Sequence, residues 1–292
     1  MKILNKIKLI IALLFVVLMQ FVFIPVTSAL AATSPTLAGA ASYSVLGGAA
    51  VTNTGSTTTT GDVGVSPGTS ITGFPPGIAN GNNATHLHSN DASAIAAQAD
   101  ALTAFGTLDQ TCTQSFGAVD LTTAFPSGVG PGVYCSTSSF SLSGNLKLTG
   151  SGVWIFKTVS TLITSPGSSV TGGDPCNVWW RIGSSTTLDT TTSFIGTVIS
   201  QNGVNAMNTG ATLNGRFLAL SAGTVTLQGN TISGPTCASV AVASPSASPK
   251  LPNTGFDPNE NNIPWYLQAG ILVGISVFLI LAQRKYRSSS KH

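Results

Sequence analysis

Large apolar residues recur along the chain in segments of roughly twenty residues that begin with Gly or Asn and end in Gly. Four such segments begin at Gly152, Asn177, Gly196 and Gly215, so that successive starts lie 25, 19 and 19 residues apart. A repeat of this length with glycine at its corners indicates the stacked coils of a β-solenoid.

Two neighbouring columns of the repeat are apolar in all four segments. We predict that the column three residues after each start lines the interior; it contains Ile155, Trp180, Ile199 and Leu218. Consecutive strand residues point to opposite faces, so the preceding column must be covered by a second layer. That column contains Trp154, Trp179, Val198 and Phe217.

An alanine-rich segment at residues 91–105 is predicted to be a helix that supplies this second layer. Ser89 or Asn90 is the expected N-cap. A helix of about 15 residues is about 22 Å long and crosses about four or five strands spaced about 4.8 Å apart. The residues that recur at helical spacing are Ile95, Ala99, Leu102 and Gly106.

A hydroxyl residue precedes an apolar residue near the end of each segment. Alternation places the apolar residue inside the coil and the hydroxyl outside. Stacking then sets the hydroxyls in a row with a spacing of about 4.8 Å. The pairs are Ser169-Val170, Ser193-Phe194, Thr212-Leu213 and Thr231-Ile232, with Ser70-Ile71 as a fifth candidate.

Charge is scarce along the whole chain. Only 7% of the residues are charged, against about a quarter in an ordinary soluble domain. The net charge of +3 belongs to the two ends, because residues 32–249 hold seven acids and four cations and carry 4 − 7 = −3. A nucleic-acid partner, which needs a cationic face, is therefore disfavoured.

The coils also offer few residues for catalysis. Polysaccharide-cleaving solenoids need paired carboxylates or a metal, but the coils contain only Asp174 and Asp189. His86 and His88 precede Asp91, yet histidines two residues apart before a helix are more typical of loop or cap packing than of a metal site. We expect no enzymatic activity, no metal and no cofactor.

The N-terminus is typical of a secretory signal peptide. Three lysines precede an apolar run over residues 9–24, and Ala29 and Ala31 are small residues suited to cleavage after residue 31. We expect residues 1–31 to be removed and the chain to be exported. A retained membrane anchor is the alternative.

The C-terminal region contains three features in a fixed order. The pentapeptide Leu251-Pro252-Asn253-Thr254-Gly255 comes first, an apolar span over residues 265–282 follows, and a basic tail comes last. The span is long enough to cross a bilayer, and the cations would hold the tail in the cytoplasm. Together the three features resemble the cell-wall sorting signal of Gram-positive surface proteins. The resemblance implies that a sortase cleaves between Thr254 and Gly255 and joins Thr254 to peptidoglycan. A plain membrane tether is the alternative.

These ends leave residues 32–237 as the folded domain. Residues 238–250, rich in Ser, Pro and Ala, cannot bury a core and are predicted to link the domain to the cell wall. Residues 251–292 form the sorting signal, whose membrane span lasts only until sorting. The mature protein is expected to be a monomer.

Four cysteines occur without a C-x-x-C pair: Cys112, Cys135, Cys176 and Cys237. An even number in an exported chain favours disulfides over a metal, and four cysteines allow three pairings. We favour Cys112–Cys135, which ties the segment after the helix to the strand at 131–134. We also favour Cys176–Cys237, which pins an insertion near the end of the solenoid. The other pairings and fully reduced cysteines remain open alternatives.

The folded domain resembles the ice-binding proteins of bacteria and fungi. The resemblance rests on residues 37–47 (LAGAASYSVLG), residues 61–68 (GDVGVSPG), the helix at 92–105, the PGVY turn at 131–134 and the Gly-bounded coils. It implies a mainly β fold, namely a right-handed, discontinuous, three-faced β-solenoid with one long α-helix packed alongside.

Ice-binding members of this family carry a Thr-Ala/Gly-x-Thr/Asn pattern on a flat face. Residues 209–212 match it fully, residues 190–193 and 228–231 match it in part, and residues 166–169 lack the first hydroxyl. The resemblance therefore implies ice-binding residues Ser169, Thr190, Ser193, Thr209, Thr212 and Thr231.

Threonine suits such a face because its methyl and hydroxyl groups stand on a rotamer-restricted stem. A rigid row of these side chains can order water with little entropy left to lose, so the expected ligand is ice or ordered water. The alternative is a structural or adhesive face that binds a glycan or a protein.

Overall fold

The computed structural model of the chain describes residues 31–220, 222–234 and 237. All of them belong to one structural unit that ends at Cys237. Except for Ala31, the predicted signal peptide, the linker and the sorting signal lie outside these residues. Within the part of the chain that the structure describes, no helix is long and apolar enough to cross a membrane.

The regular secondary structure of the described residues is mainly β-strand, and the strands form two sheets. The 14 strands of the first sheet are β1 Tyr43–Gly47, β3 Thr58–Thr59, β4 Asp62–Val65, β6 Ile78–Ala79, β7 Leu87–Ser89, β8 Gln114–Phe116, β10 Gly132–Ser136, β12 Asn145–Leu148, β13 Trp154–Thr158, β15 Ser169–Gly172, β16 Val178–Ile182, β18 Ser193–Ser200, β20 Thr212–Ala219 and β22 Thr231–Ile232. The eight strands of the second sheet are β2 Ala50–Thr54, β5 Ser70–Thr72, β9 Val119–Asp120, β11 Phe140–Leu142, β14 Leu162–Thr164, β17 Thr186–Leu188, β19 Val204–Met207 and β21 Thr224–Gln228.

Short helices accompany the sheets. The α-helices are α1 Asn83–His86, α2 Ala92–Thr107 and α3 Leu121–Ala124, and the 3-10 helices are Ala38–Ser42 and Pro175–Asn177. The helix predicted at 91–105 is therefore α2, and it has 16 residues. At 1.5 Å per residue it is about 24 Å long, shorter than the roughly 38 Å of a nine-strand row, so it is not a long helix relative to the stack.

The strands pair in parallel between corresponding segments of successive coils. Strands β13, β14 and β15 pair with β16, β17 and β18 respectively. Ser169 pairs with Ser193, a step of 24 residues, and the steps from Ser193 to Thr212 and from Thr212 to Thr231 are 19 residues each. The predicted repeat is present, with its first step one residue shorter than the alignment gives.

The coils do not stack in chain order. Strand β1 pairs with β20 on one side and β4 on the other, and β2 pairs with β21 and β5 in the same way. The N-terminal coils thus rest on the last coil of the chain. Helix α2 follows β7, at one end of the first sheet, and precedes β8 at the other end. The order of coils along the stack is therefore discontinuous in sequence.

Two apolar clusters fill the interior and the space beneath α2. The prediction that a second layer covers one column is wrong for three of its members, because Trp154, Val198 and Phe217 lie in the interior cluster. Trp180, which was predicted to be interior, lies there with them. The prediction that the other column is interior is wrong for Ile155, Ile199 and Leu218, which lie beneath the helix. Trp179 lies beneath the helix as predicted. Both columns are wholly apolar, so alternation separates the two faces of the strand without indicating which is inside.

Helix α2 begins at an aspartate rather than at either predicted cap. The Asp91 carboxylate accepts a hydrogen bond from the Ala94 N–H at 2.9 Å, so Asp91 is the N-cap in place of Ser89 or Asn90. This hydrogen bond lowers the pKa of Asp91, and a second one from His88 adds to the effect. The carboxylate therefore stays ionised at the positive end of the helix dipole.

The helix packs through its small residues, not through the face that helical spacing predicted. Its buried residues are Ala94, Ala97, Ala101, Ala104 and Phe105. Ile95 and Leu102 are 52% and 58% exposed, and Ala99 and Gly106 are also exposed. Alanine allows the helix backbone to lie close to the apolar sheet beneath it, whereas a larger side chain would hold it away.

We expect Ala101→Leu to destabilise the domain by about 1–3 kcal/mol, because added methylenes have no space beneath the helix. The matched change Leu102→Ala removes as many carbon atoms as Ala101→Leu adds, yet it should shift stability by less than about 0.5 kcal/mol, since that side chain faces solvent. Urea unfolding of both variants measures the difference. A larger loss for Leu102→Ala than for Ala101→Leu would contradict the packing described here.

Charged side chains hold the end of α2 against the first sheet. Lys157 Nζ donates to Asp109 Oδ1 at 2.7 Å, and Arg181 Nε donates to the Phe105 carbonyl at 3.0 Å. The Arg181 guanidinium also lies 4.0 Å from the centre of the Phe105 ring. The hydrogen bond from Lys157 and the charge of Arg181 lower the pKa of Asp109.

The structure contains two disulfides, and their pairing is the one favoured from the sequence. Cys112 is joined to Cys135, which links the segment after α2 to β10. Cys176 is joined to Cys237, so the last described residue is bonded to the 3-10 helix that precedes β16. The first disulfide therefore attaches the chain after α2 to the stack, and the second attaches the chain after β22.

Candidate functional site

The predicted hydroxyl row exists as a continuous ladder across seven strands. Its members pair in parallel register in the order Asn145, Ser169, Ser193, Thr212, Thr231, Thr58 and Ile78. The residues that follow the hydroxyls, such as Phe194 and Leu213, are buried, so the hydroxyls lie on the outer side as alternation predicts. Ser193, Thr212 and Thr231 are exposed, and Ser169 is half-buried. We call this ladder the hydroxyl column.

The fifth candidate pair is wrong. Ser70 lies in the second sheet, where it pairs with Ala50. Thr58 takes the fifth hydroxyl position, because it pairs with Thr231 where the N-terminal coils rest on the last coil. Thr58 sits within a run of four threonines and lacks the apolar neighbour used to align the other coils.

Thr190 and Thr209 lie at the corner between the second sheet and the hydroxyl column. The two positions are adjacent in the stack, since the Thr191 N–H donates to the Thr209 carbonyl at 3.1 Å. Thr209 Oγ1 is exposed and donates to Gln228 Oε1 of the next coil at 3.2 Å. Thr190 is half-buried, and its N–H donates to Asp189. The structure therefore brings all six predicted residues onto one side and one corner of the stack.

Buried asparagines stabilise the corners between the second sheet and the hydroxyl column. Asn230 Nδ2 donates to the carbonyls of Asn208 and Ala211 at 2.8 and 3.1 Å. Asn53 Nδ2 donates to the carbonyls of Gly55 and Gly73 at 2.9 and 2.8 Å. Every buried side-chain nitrogen or oxygen among the described residues has a hydrogen-bond partner. The outer rows thus stand on a fully hydrogen-bonded frame.

The outer side of the second sheet carries a second in-register row that the sequence analysis missed. Its members are Ser141, Ile163, Thr187, Ala206, Thr226, Thr52 and Thr72. A parallel row lies two residues earlier in the strands and contains Val204, Thr224, Ala50 and Ser70. We call these two rows the second-sheet face. Ile163 and Val204 are 50% and 49% exposed, so apolar groups reach solvent among the hydroxyls.

The second-sheet face is uncharged from Ser141 to Thr72, and the next position in register beyond Ser141 is Asp120. Between Ser141 and Thr72 it spans seven strands, or about 29 Å at 4.8 Å per strand. Acids occur only at its margins among the described residues of this sheet and its turns: Asp120 on the end strand and Asp189 after β17. The Asn208 amide and the Thr190 N–H lower the pKa of Asp189, so this carboxylate is ionised and already hydrogen-bonded.

The histidines of the His86-Leu87-His88 segment pair with aspartates. His86 Nδ1 lies 2.6 Å from Asp62 Oδ1, and His88 Nδ1 lies 2.8 Å from Asp91 Oδ2. Among residues 31–220, 222–234 and 237, no group of three or more His, Cys, Asp or Glu side chains is arranged to hold a metal ion. These contacts fasten α1 and the start of α2 to the N-terminal coils.

The fold is a stack of parallel β-coils whose outer rows carry small hydroxyl and apolar side chains in register. The chain belongs to the ice-binding-like family, whose model matches residues 45–233. It is similar to an ice-binding protein of Nostoc sp. (strain HG1), with 39% identity over 216 residues, 71% of this chain and 77% of that protein.

Solved structures of ice-binding proteins share the fold. One from an Antarctic biological consortium is 40% identical with a TM-score of 0.63, and the match covers 71% of this chain and 94% of that chain. One from the Antarctic ascomycete Antarctomyces psychrotrophicus is 36% identical with a TM-score of 0.63, and the match covers 70% of this chain and 100% of that chain. The matched region is nearly all of those two chains, so each of those solved chains consists almost entirely of a domain of this extent.

Proposed function

We propose that residues 32–237 bind ice or ordered water through an uncharged, hydroxyl-bearing surface. The observation that carries this proposal is the in-register outer row of the second-sheet face. Threonine and serine hydroxyls there can hydrogen-bond to an ordered water layer, while Ile163, Val204 and the threonine methyl groups exclude loosely held water. The stiff stems and the bonded frame leave little entropy to lose on docking.

The second-sheet face suits a flat crystal plane better than the hydroxyl column does. It presents two adjacent rows, and all seven of its strands have three to five residues, whereas three of the seven strands of the hydroxyl column, β3, β6 and β22, have only two. The row beside the hydroxyl column also includes the exposed charge of Lys147. We therefore assign docking to the second-sheet face, with Ser169, Ser193, Thr212 and Thr231 on the neighbouring side and Thr190 and Thr209 at the shared corner.

We also propose the finer architecture that the family resemblance implies. The coil is a right-handed, three-faced β-solenoid, whose faces are the helix-covered strands, the second-sheet face and the hydroxyl column. The pairing of each coil's three strands with the corresponding strands of the next coil supports three faces. The right-handed hand is the one that nearly all parallel β crossovers adopt.

Recrystallisation and thermal-hysteresis assays on residues 32–249 test ice binding directly. We expect the folded domain to slow the coarsening of ice crystals, and a heat-unfolded sample of the same protein to lose this effect. Unchanged ice growth at high concentration of the folded domain would refute the proposal. A glycan or protein ligand would then become the better candidate.

Anchoring in the cell wall is part of the proposal. The signal peptide directs export, and a sortase that recognises residues 251–255 joins Thr254 to peptidoglycan, so the mature protein is secreted, wall-linked and monomeric. The three ordered features at the C-terminal end of the sequence support this placement. Such a protein would hold the cell to ice or limit ice growth beside it.

Mass spectrometry of wall fragments released by muramidase should identify a peptide that ends in Thr254 and is linked to the peptidoglycan cross-bridge. The cleaved N-terminus should begin at Ala32. A Thr254→Ala variant should appear in the culture medium or membrane instead of the wall. Recovery of mature wild-type protein that retains residues 255–292 would show that anchoring by sortase does not occur.

A further inference from the structure

The last coil of the chain lies in the middle of the stack, not at its end. Strand β20 pairs with both β18 and β1, and β21 pairs with both β19 and β2. The N-terminal coils reach the rest of the stack only through this coil among the described strand pairings. Removal of the last coil would therefore split the stack and both outer surfaces.

The strand nearest the C-terminal end is weakly held by itself. Strand β22 consists of Thr231 and Ile232 alone and pairs with β20 on one side and β3 on the other. A pull on the chain beyond Ile232 would break these few hydrogen bonds one after another. It would then reach β21 and β20, the strands that join the two parts of the stack.

The Cys176–Cys237 disulfide changes where such a pull enters the fold. Cys237 lies beyond β22, and Cys176 lies 61 residues earlier in the 3-10 helix before β16. The bond closes a loop that contains every strand from β16 to β22. Tension on the chain after Cys237 passes through the two sulfurs to Cys176, so these seven strands lie outside the direct path of the load.

Cys176 is well placed to receive load. The Asp174 carboxylate accepts hydrogen bonds from the Cys176 N–H and the Asn177 side chain, each at 3.0 Å. Asn177 in turn accepts from Ser34 Oγ at 3.1 Å, and Ser34 Oγ accepts from Trp179 Nε1 at 3.0 Å. Trp179 is buried beneath α2 on β16, which pairs with strands on both sides. The entry point is thus braced by the N-terminal segment and by a buried strand.

We propose that the Cys176–Cys237 disulfide is a load-bearing clamp that keeps the central coil folded when the domain is pulled by its C-terminal tether. This inference rests on the proposed anchoring at the C-terminal end. The domain would then serve as an attachment that bears mechanical load, for example when a wall-linked cell is held against a surface in moving water. A freely diffusing antifreeze protein would not need such a clamp.

Single-molecule pulling on residues 32–249 tests the clamp. One handle is placed at Ser151, in the exposed turn before β13, and the other at the C-terminal end. Replacing Cys176 and Cys237 by Ser should lower the first rupture force and add an early extension of up to about 200 Å, because 61 residues span about 3.3–3.6 Å each. Wild-type protein should lack this extension. The matched variant with Cys112 and Cys135 replaced by Ser should behave as wild type.

A second pulling direction separates load bearing from general stabilisation. With handles at Ser151 and Asn202, tension does not enter through Cys237, so loss of the Cys176–Cys237 bond should leave the first rupture force unchanged. An equal loss of force in both directions, or no loss with the C-terminal handle, would overturn the proposal. If the doubly substituted protein fails to fold, the bond can be reduced after folding in the variant that lacks Cys112 and Cys135. Failure of wall anchoring would appear separately in the wall-fragment analysis, since the pulling experiment uses the isolated domain.

Discussion

Thr226→Tyr is expected to abolish most of the thermal hysteresis and recrystallisation inhibition of residues 32–249. Thr226 lies in the middle of the second-sheet face, between Ala206 and Thr52 in register. A phenol ring there would stand above its neighbours and separate a flat crystal plane from the rest of the row. The fold should survive, because the side chain points outward from a strand whose inward neighbours, Val225 and Leu227, are unchanged.

Two further tyrosine variants show which surface docks. Thr212→Tyr places the same ring in the middle of the hydroxyl column and should leave most of the activity intact. Thr103→Tyr places it on the exposed side of α2 and controls for the change in composition. Loss of activity in Thr212→Tyr with retention in Thr226→Tyr would move the docking site to the hydroxyl column. Full activity in all three variants would mean that neither surface contacts ice.

Trp180→Ala should destabilise the domain by about 3–5 kcal/mol, as expected when a large aromatic side chain is deleted from a close-packed interior. Trp180 is fully buried, and its ring stacks on Phe156 with the centres 4.3 Å apart and contacts Phe194 at 4.7 Å. Its Nε1–H donates to the Ile195 carbonyl at 3.0 Å, so the deletion also leaves a carbonyl without its partner.

Urea unfolding monitored by circular dichroism measures this loss, with Val159→Ala as the control. Val159 is 66% exposed, so its truncation should change stability by less than about 0.5 kcal/mol. A loss below about 1 kcal/mol for Trp180→Ala would show that the packing of Trp180 against Phe156 and Phe194 is not the core of the stack. Reduced ice activity is expected in Trp180→Ala only at temperatures where the variant is partly unfolded.

Local sequence patterns were sufficient to predict the features that depend on the nearest coils. The glycine-bounded repeat predicted stacked parallel coils, and the Ser-Val, Ser-Phe, Thr-Leu and Thr-Ile pairs predicted four neighbouring members of the hydroxyl column. The alanine-rich segment predicted α2 to within two residues of its C-terminal end. Each of these predictions uses only residues within one repeat or between consecutive repeats, where strand alternation and helical spacing act directly.

The tertiary structure decided which side of each element packs. Ile155 lies beneath the helix and Trp154 lies inside, although both are apolar, because the choice depends on which layer each meets. Ile95 and Leu102 face solvent while the alanines of α2 pack against the sheet. The helix lies close to the sheet, so small side chains fit between them better than larger and more hydrophobic ones.

The second-sheet face and the place of Thr58 also depended on the tertiary structure. Thr58 joins the hydroxyl column only because the N-terminal coils stack on the last coil, a pairing between residues far apart in sequence. The row through Thr52, Thr226 and Ile163 mixes hydroxyl and apolar residues on short strands, so no single repeat displays it. The sequence by itself determined the coil and its spacing through local periodicity, whereas the assembled surface arose from long-range stacking that local periodicity does not encode.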